Sequence, residues 1–283
     1  MKSIGFVDFY IDEWHSNNYP QMIRNSTRGK EYAVTLAWDE ITPDGKKGLE
    51  RWCREQGVAK AKSIEQVVAE CDCIVVLAPD NPEHHERLAE IPLRSGKPVY
   101  VDKTFAPTRA AAERMFSLAA KHNTPLMSSS ALRFGSALQH AFKHDVAGKR
   151  VNFVSTNGPG LFRNYSVHQL EMLVMVLGVG AYRVMHCGTE IVSSMIIDYH
   201  DDRRGSILMG SDLPFRLYCN YGENKGLEVN EMSDFFERFI DAMLEFFEAG
   251  VSPIAPEETI EIMALYETGM NAIRKPDNWM NLP

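Results

Sequence analysis

The chain has 283 residues, of which 45% are hydrophobic and 24% are charged, with 38 acidic against 30 basic residues. Its length predicts one large domain or two of ordinary size, and its composition excludes a disordered chain. The formal net charge of −8 argues against a nucleic-acid or membrane partner, because nucleic acids and anionic membrane surfaces attract basic faces.

The sequence also predicts the compartment. The longest nearly uncharged run, residues 172–182, has 11 residues, well short of the ~20 that span a bilayer. Asp8 lies where the apolar core of a signal peptide would have to be. The five cysteines are sparse and odd in number, as in a reducing compartment. We therefore expect a cytoplasmic protein whose thiols are structural.

Up to about residue 130, predicted strands alternate with predicted helices. The predicted strands are 3–10, 32–38, 73–78, 98–101 and 126–128, and the predicted helices are 49–56, 63–70, 83–95 and 108–122. The run CIVVLA at 73–78 is apolar throughout, as in strands buried on both faces of a parallel sheet. This alternation predicts βαβ units, so residues 1–128 should form an α/β, doubly wound, Rossmann-type domain.

The second half has a different pattern. Helices are predicted at 136–143, 167–177, 231–248 and 256–273, and strands at 150–156, 182–187, 191–199, 205–211 and 215–220. Turn residues between these strands suit hairpins. Residues 129–283 should therefore form an α+β domain with a largely antiparallel sheet and helices on one face. Subunit pairing is the simplest cover for the other face, so we expect a homodimer or homotetramer.

The loop after the first strand lacks the glycines of a dinucleotide site. A Rossmann domain normally has G-x-G-x-x-G at this point, but this chain reads IDEWHSNNYP, and Gly5 lies inside the strand. Ser16 or Asn17 is predicted to cap the next helix, whose free N–H groups would favour an anion. However, Asp12 and Glu13 would repel a diphosphate. The loop is therefore evidence against ordinary cofactor binding.

Acidic residues follow the first two predicted strands. Asp39 stands 34 residues after Gly5, about where a βαβ unit presents its ribose-binding carboxylate. In that role it would favour NAD over NADP by repelling the 2′-phosphate; alternatively, it caps the next turn. A metal site is a minor alternative, and we predict none. Its ligands would be Asp8, Asp12, Glu13 and His15.

Several later segments carry a family resemblance. APDNPEHH at 78–85 and GKPVYVDKT at 96–104 are similar to the T-P-N…H and G-K-x-V-x-x-E-K-P motifs of the glucose–fructose oxidoreductase / inositol dehydrogenase (Gfo/Idh/MocA) family. SSSALRF at 128–134 is similar to that family's strand leading to an R-F pair. NYSVHQLE at 164–171 resembles its D-x-x-x-H-x-x-D helix. The resemblance spans nearly the whole chain and implies a Rossmann-type fold, NAD as cofactor and oxidoreductase activity.

The resemblance also implies roles for single residues. Lys103 would contact the substrate hydroxyl and move its proton, and His168 would share this work. Asn164 replaces the family's aspartate, and its amide can hydrogen-bond a sugar hydroxyl but cannot accept a proton. Glu171, three residues after His168, could orient the imidazole. Arg133 either reaches a substrate group or pairs with an acid.

The predicted site thus has three parts. The predicted catalytic residues are Lys103, His168 and Asn164. The predicted cofactor-binding residues are Asp8, His15, Ser16, Asn17, Asp39, Pro79, His85 and Asp102. The predicted substrate-binding residues are Lys103, Arg133, Arg163, Tyr165 and His168.

We interpret the sequence as that of an NAD-dependent oxidoreductase. It would transfer a hydride between nicotinamide and a sugar, cyclitol or related polyhydroxy substrate. One alternative keeps a tightly held NAD and uses transient oxidation for elimination or glycoside cleavage. The other is a diverged family member that no longer binds nicotinamide and acts as a sugar-like ligand binder, a lyase or an isomerase. These possibilities differ in whether the loop at residues 12–19 still holds the diphosphate of the cofactor.

Overall fold

The computed structural model describes residues 1–189 and 191–283, which divide into two compact units. The first comprises Met1–Ala106, Ala110–Ser129 and Phe239–Ala255, and the second comprises Pro107–Arg109, Ser130–Arg238 and Pro256–Pro283. Residues 239–255 thus group with the first unit, whereas their chain position suggests the second. The physical reason is aromatic packing, because the Phe239 ring lies 5.9 Å from that of Tyr19 and 5.3 Å from that of Tyr100.

The sheet of the first unit is parallel throughout. Its strands are β1 (Lys2–Asp8), β2 (Tyr32–Asp39), β3 (Ala59–Lys60), β4 (Cys73–Val76), β5 (Val99–Val101) and β6 (Leu126–Met127). They are arranged in the order β3-β2-β1-β4-β5-β6. This is the doubly wound order, and it confirms the predicted Rossmann-type architecture. The order reverses between β1 and β4, so the loops after these two strands flank the crevice where such sheets bind ligands.

Helices connect the strands and cover the sheets. They are α1 (Trp14–Asn25), α2 (Leu49–Gln56), α3 (Ile64–Glu70), α4 (His85–Ala89), α5 (Arg109–Lys121), α6 (Ser136–His140), α7 (Phe162–Leu177), α8 (Phe235–Ala249) and α9 (Pro256–Ala272). The single helix predicted at 83–95 is broken into α4 and flanking 3₁₀ turns, because Pro92 has no N–H to continue the helical ladder. Among the described residues, none of the helices has the length and apolar character to cross a membrane.

Gly5 allows α3 to lie close against β1. A Cβ atom at this position would collide with Val67 and lie 2.9 Å from the Cys71 sulfur. Protein interiors are close-packed and cannot absorb such an overlap without shifting. This glycine therefore serves helix–sheet packing and is not part of a phosphate-binding turn.

The sheet of the second unit is mixed. Its strands are β7 (Val151–Gly158), β8 (Ala181–His186), β9 (Ser193–Tyr199), β10 (Arg204–Met209), β11 (Arg216–Tyr221), β12 (Lys225–Val229) and β13 (Trp279–Asn281). They are arranged in the order β12-β11-β7-β10-β9-β8-β13, and only the β7–β10 pair is parallel among the pairings described. Helices α7 and α9 pack against this sheet. The predicted α+β domain with a largely antiparallel sheet is confirmed.

Candidate functional site

Lys103 stands at the carboxyl end of β5, at the ligand-binding edge of the parallel sheet. Its side chain is buried, with 9% of the residue exposed. The ammonium donates a hydrogen bond to the carbonyl oxygen of Pro79 at 3.0 Å and lies 3.6 Å from the carboxylate of Asp80. Both partners belong to the loop after β4. This contact places the lysine beside the crevice. Pro79, which the sequence predicts to bind the cofactor, contacts Lys103 through its carbonyl oxygen.

Asp102 and His15 form a buried ion pair beneath this edge. The Asp102 carboxylate accepts hydrogen bonds from the His15 ring, from the N–H of Lys103 at 2.8 Å and from the Tyr100 hydroxyl at 3.2 Å. Burial alone would raise the pKa of Asp102, but the adjacent His15 holds it below its ordinary value. Burial alone would lower the pKa of His15, but Asp102 raises it. Stacking of the His15 ring on Tyr19 at 4.9 Å completes the arrangement.

The first turn of α1 is capped by Glu13, so the predicted cap at Ser16 or Asn17 is wrong. The Glu13 carboxylate accepts hydrogen bonds from the backbone N–H groups of His15, at 2.6 Å, and Ser16. The Ser16 hydroxyl is buried and donates to backbone carbonyls instead. The Asn17 side chain accepts from the Trp52 indole N–H at 3.0 Å. The amides that would favour an anion therefore already hold the chain's own carboxylate.

Asp8 lies next to this capped helix, at the end of β1. It is fully buried, and one carboxylate oxygen accepts the N–H of Phe9 at 2.7 Å. The other oxygen has no hydrogen-bond partner among the described residues. Burial raises the pKa of Asp8 well above its ordinary value, and the neighbouring Glu13 raises it further. Burial likewise raises the pKa of Glu13, although His15 opposes this.

The carboxylates of the metal alternative make other contacts in the structure. Within the described part of the chain, no group of three or more His, Cys, Asp or Glu side chains is arranged to hold a metal ion. Asp12 accepts the N–H of Lys47 at 2.9 Å and the amide of Asn17 at 3.0 Å, while Glu13 caps the helix. These carboxylates therefore satisfy backbone and side-chain donors.

Asp39 borders a cavity at the end of β2. The cavity measures about 610 Å³ and is also lined by Trp38, Lys60 and Lys62. The Asp39 carboxylate accepts the N–H of Ile11 at 3.2 Å, and burial raises its pKa. A carboxylate beside a cavity can accept hydrogen bonds from the hydroxyls of a ribose. This part of the site therefore fits the ribose of a dinucleotide, whereas a diphosphate would compete with Glu13 for the amides of α1.

His85 is fully buried and unsuited to direct ligand contact. Its Nδ1 lies 3.1 Å from the carbonyl oxygen of Phe105, and Nε2 has no partner among the described residues. Burial lowers its pKa, so the imidazole is held neutral. A cofactor could reach this ring only after a rearrangement.

In the second unit, the start of α7 places three of the predicted residues together. Asn164, Tyr165 and His168 occupy the first two turns, and residues three and four apart are neighbours on a helix. The Tyr165 ring meets the His168 ring edge-on at 5.4 Å, with Phe215 at 5.9 Å from the imidazole. Arg163 is exposed. These side chains form the polar start of a helix that is otherwise almost wholly buried.

Ser130 holds His168, and the sequence did not predict this contact. The Ser130 hydroxyl oxygen lies 2.7 Å from Nδ1 of His168. Glu171, which the sequence suggested for this task, accepts the Ser130 N–H at 3.2 Å and the Arg133 guanidinium at 2.9 Å. Arg133 also donates to Glu258 at 2.7 Å. The sequence predicts that Arg133 either reaches a substrate group or pairs with an acid. These contacts correspond to pairing with an acid.

Comparison with known proteins supports the architecture. Residues 17–130 match the model of the Gfo/Idh/MocA family, described as an oxidoreductase family with an NAD-binding Rossmann fold. A comparison with curated proteins gives no match.

Solved structures similar to this chain cover almost its whole length. A probable dehydrogenase from Thermotoga maritima has a TM-score of 0.80 at 13% identity, covering 99% of this chain and 98% of its own. The scyllo-inositol dehydrogenase from Lactobacillus casei, with bound NAD(H) and scyllo-inositol, gives 0.80 at 13% identity and the same coverage. The WlbA dehydrogenase from Bordetella pertussis, in complex with NADH and UDP-GlcNAcA, gives 0.78 at 16% identity, again with 99% and 98% covered. Likeness at such low identity establishes a shared fold.

Proposed function

Because residues 17–130 match the model of the Gfo/Idh/MocA oxidoreductase family with its NAD-binding Rossmann fold, we propose that the protein oxidises or reduces a sugar, cyclitol or related polyhydroxy compound. When bound, NAD(H) supplies the acceptor or donor of the hydride. The ligands of the similar Lactobacillus casei and Bordetella pertussis structures, an inositol and a sugar nucleotide, support this substrate class.

The position of Lys103 carries the proposal. Hydride loss from a carbinol carbon requires its hydroxyl to lose a proton, and a positioned side chain can take it. The ammonium of Lys103 is buried at the ligand-binding edge of the sheet and is held by Pro79 and Asp80. In the proposed reaction the amine form of Lys103 accepts the proton of the substrate hydroxyl during oxidation, and the resulting ammonium returns that proton during reduction.

We propose that the start of α7 contributes further substrate contacts. The imidazole of His168 handles a substrate proton, and the amide of Asn164 hydrogen-bonds a substrate hydroxyl without accepting its proton. Tyr165 and Arg163, both exposed, offer a hydroxyl and a guanidinium to the same class of ligand. Arg133 acts on these groups indirectly, through Glu171 and Ser130.

Cofactor binding is the first test of this proposal. Trp14 and Trp38 lie in the first turn of α1 and beside the cavity at β2, so titration with NADH and NADPH should quench protein fluorescence. Binding with NADH preferred supports the oxidoreductase and the role of Asp39, and a screen of polyols and sugars for NAD reduction then identifies the substrate. If neither nucleotide binds and the denatured protein releases none, hydride transfer is excluded and the diverged alternative is favoured.

Lys103→Ala tests the mechanism. We expect kcat on a true substrate to fall about 10²–10⁴-fold, the usual contribution of acid–base catalysis. Affinity for NADH should change little. The exposed Lys121 at the end of α5 provides the control, and Lys121→Ala should behave like wild type. Unchanged turnover in Lys103→Ala would remove this lysine from the chemistry.

We propose a cytoplasmic homo-oligomer. All five cysteines carry free thiols, and Cys187 is the exposed one, which supports a reducing compartment. Assembly through the second unit is argued below from its sheet.

A further inference from the structure

The carboxylate of Glu13 occupies the place where a Rossmann domain binds a diphosphate. The N–H groups at the start of the first helix are the usual anion site of this fold. Here two of them, on His15 and Ser16, donate to Glu13. We propose that Glu13 is an internal competitor for the cofactor, so that a dinucleotide binds only by displacing it. The inference rests on the proposed cofactor binding.

The side chains around Glu13 show that an external anion must replace it rather than join it. Asp8 is fully buried next to Glu13, and one of its oxygens has no partner among the described residues. Asp102 is buried beyond them and pairs with His15, and the pKa of His15 is raised by both Asp102 and Glu13. A diphosphate added beside Glu13 would meet like charge among buried side chains, where repulsion is strong.

Displacement has a free-energy consequence. Hydrogen bonds to a charged partner are stronger than neutral ones, so breaking the Glu13 cap lowers the apparent affinity for any anion that takes its place. Removal of the carboxylate should therefore tighten binding. This effect is opposite to the one expected if Glu13 were a cofactor ligand.

The Glu13→Ser variant tests the negative charge of Glu13 separately from its role as the cap of α1. Serine is a favoured N-cap residue, so the variant keeps a neutral acceptor for α1 while freeing the anion site. We expect its Kd for NADH to be at least tenfold lower than that of wild type, equivalent to about 1.4 kcal/mol. Asp12→Asn is the matched control, because it removes a charge that Lys47 already offsets at 3.5 Å and leaves the amides of His15 and Ser16 bound to Glu13. Its Kd should stay within about twofold of wild type.

A second measurement, of the melting temperature with pyrophosphate, does not depend on cofactor binding. Inorganic pyrophosphate should raise the melting temperature of Glu13→Ser and leave that of wild type unchanged, because the neutral cap of the variant competes for these amides less strongly than the Glu13 carboxylate does. Glu13→Gln, which retains the side-chain length and an acceptor, replaces Glu13→Ser if the latter fails to fold.

The outcomes distinguish this inference from the proposed function. If pyrophosphate stabilises only the variant while neither protein binds NADH, Glu13 still competes with an external anion at the start of α1, and it is the proposed function that fails. If the variant binds NADH and pyrophosphate no more tightly than wild type, Glu13 is only a helix cap and the inference is overturned. Weaker NADH binding by the variant would overturn it as well.

Discussion

The contact between Ser130 and His168 decides which nitrogen of the imidazole can act on a substrate. Ser130 lies where the chain enters a 3₁₀ turn, and its hydroxyl oxygen accepts the N–H of Leu132 at 3.3 Å. The hydroxyl hydrogen can then point to Nδ1 of His168, 2.7 Å away. This arrangement favours the tautomer in which Nε2 carries the proton, because the partner of one ring nitrogen sets the state of the other.

Ser130→Ala should therefore impair His168 without removing it. We expect kcat to fall about fivefold with KM little changed, since a hydrogen bond of this kind contributes about 1 kcal/mol. The pH profile of kcat should also shift, because the tautomer is no longer selected. Ser130→Thr, which keeps a hydroxyl, should have the kcat and the pH profile of wild type. A loss of thermal stability with an unchanged pH profile would assign Ser130 a structural role only.

At the scale of elements, the pair of His15 and Asp102 joins α1 to the end of β5. The pKa of His15 is raised above its unfolded value near 6.5, so its contribution to stability is complete below that pH and is lost as the pH rises through the folded value. The pKa of Asp102 is lowered, so its contribution is present above its unfolded pKa and is lost as the pH falls through the folded value. The pair is therefore most stabilising in mildly acidic solution.

His15→Gln should destabilise the protein most in that window. Removal of one partner leaves a buried carboxylate unpaired, which costs about 3 kcal/mol. The difference in unfolding free energy from wild type should shrink as the pH rises, because wild-type His15 then loses its charge. Urea denaturation between about pH 5 and about pH 9 measures this difference. Exposed His144 is the control: His144→Gln should track wild type, and a pH-independent deficit in His15→Gln would refute the charge argument.

The elements also show how far the sequence could predict the structure. Long periodic or apolar segments such as 73–78 and 108–122 were predictable because burial imposes a pattern on them. The two- and three-residue strands β3 and β13 have no such pattern, since their pairing depends on tertiary neighbours. The cap of α1 escaped prediction because Ser is a better N-cap than Glu by propensity, whereas in the structure the Ser16 hydroxyl is taken by backbone carbonyls.

At the scale of the whole molecule, the fold was more predictable than the site. Identities of only 12–16% to the similar structures accompany TM-scores near 0.8, because strand order and burial tolerate exchange among apolar residues. Site residues tolerate less exchange. Lys103 and His168 could be placed from motifs, but Ser130 and Glu13 act through contacts set by three-dimensional neighbours. Residues 17–130 match the model of the predicted oxidoreductase family with its NAD-binding Rossmann fold, while the roles of single residues stay predictions.

Among the described residues, helices cover one face of the second unit's sheet, and large apolar side chains are exposed on the other. Gly205 on β10 packs against Leu173 of α7, and Thr156 on β7 donates to a carbonyl of the same helix. Strand pairing places a row of residues on the opposite face because directly paired residues point to the same side. In sheet order, this row is Glu228, Tyr218, Ser155, Ser206, Ile196, Met185 and Trp279.

We expect a second copy of the chain to cover this face. Tyr218, Leu208, Phe153 and Trp279 are 37–41% exposed, and so many large apolar side chains on one sheet mark an interaction surface. Light scattering after gel filtration should give a multiple of 32.0 kDa. Tyr218→Glu should shift the measured mass toward that of the monomer, because a charge placed in an apolar interface must be desolvated. Val251→Glu alters an exposed apolar residue of the first unit and should leave assembly intact. A monomeric wild type, or an equal response to both variants, would contradict this assignment of the interface.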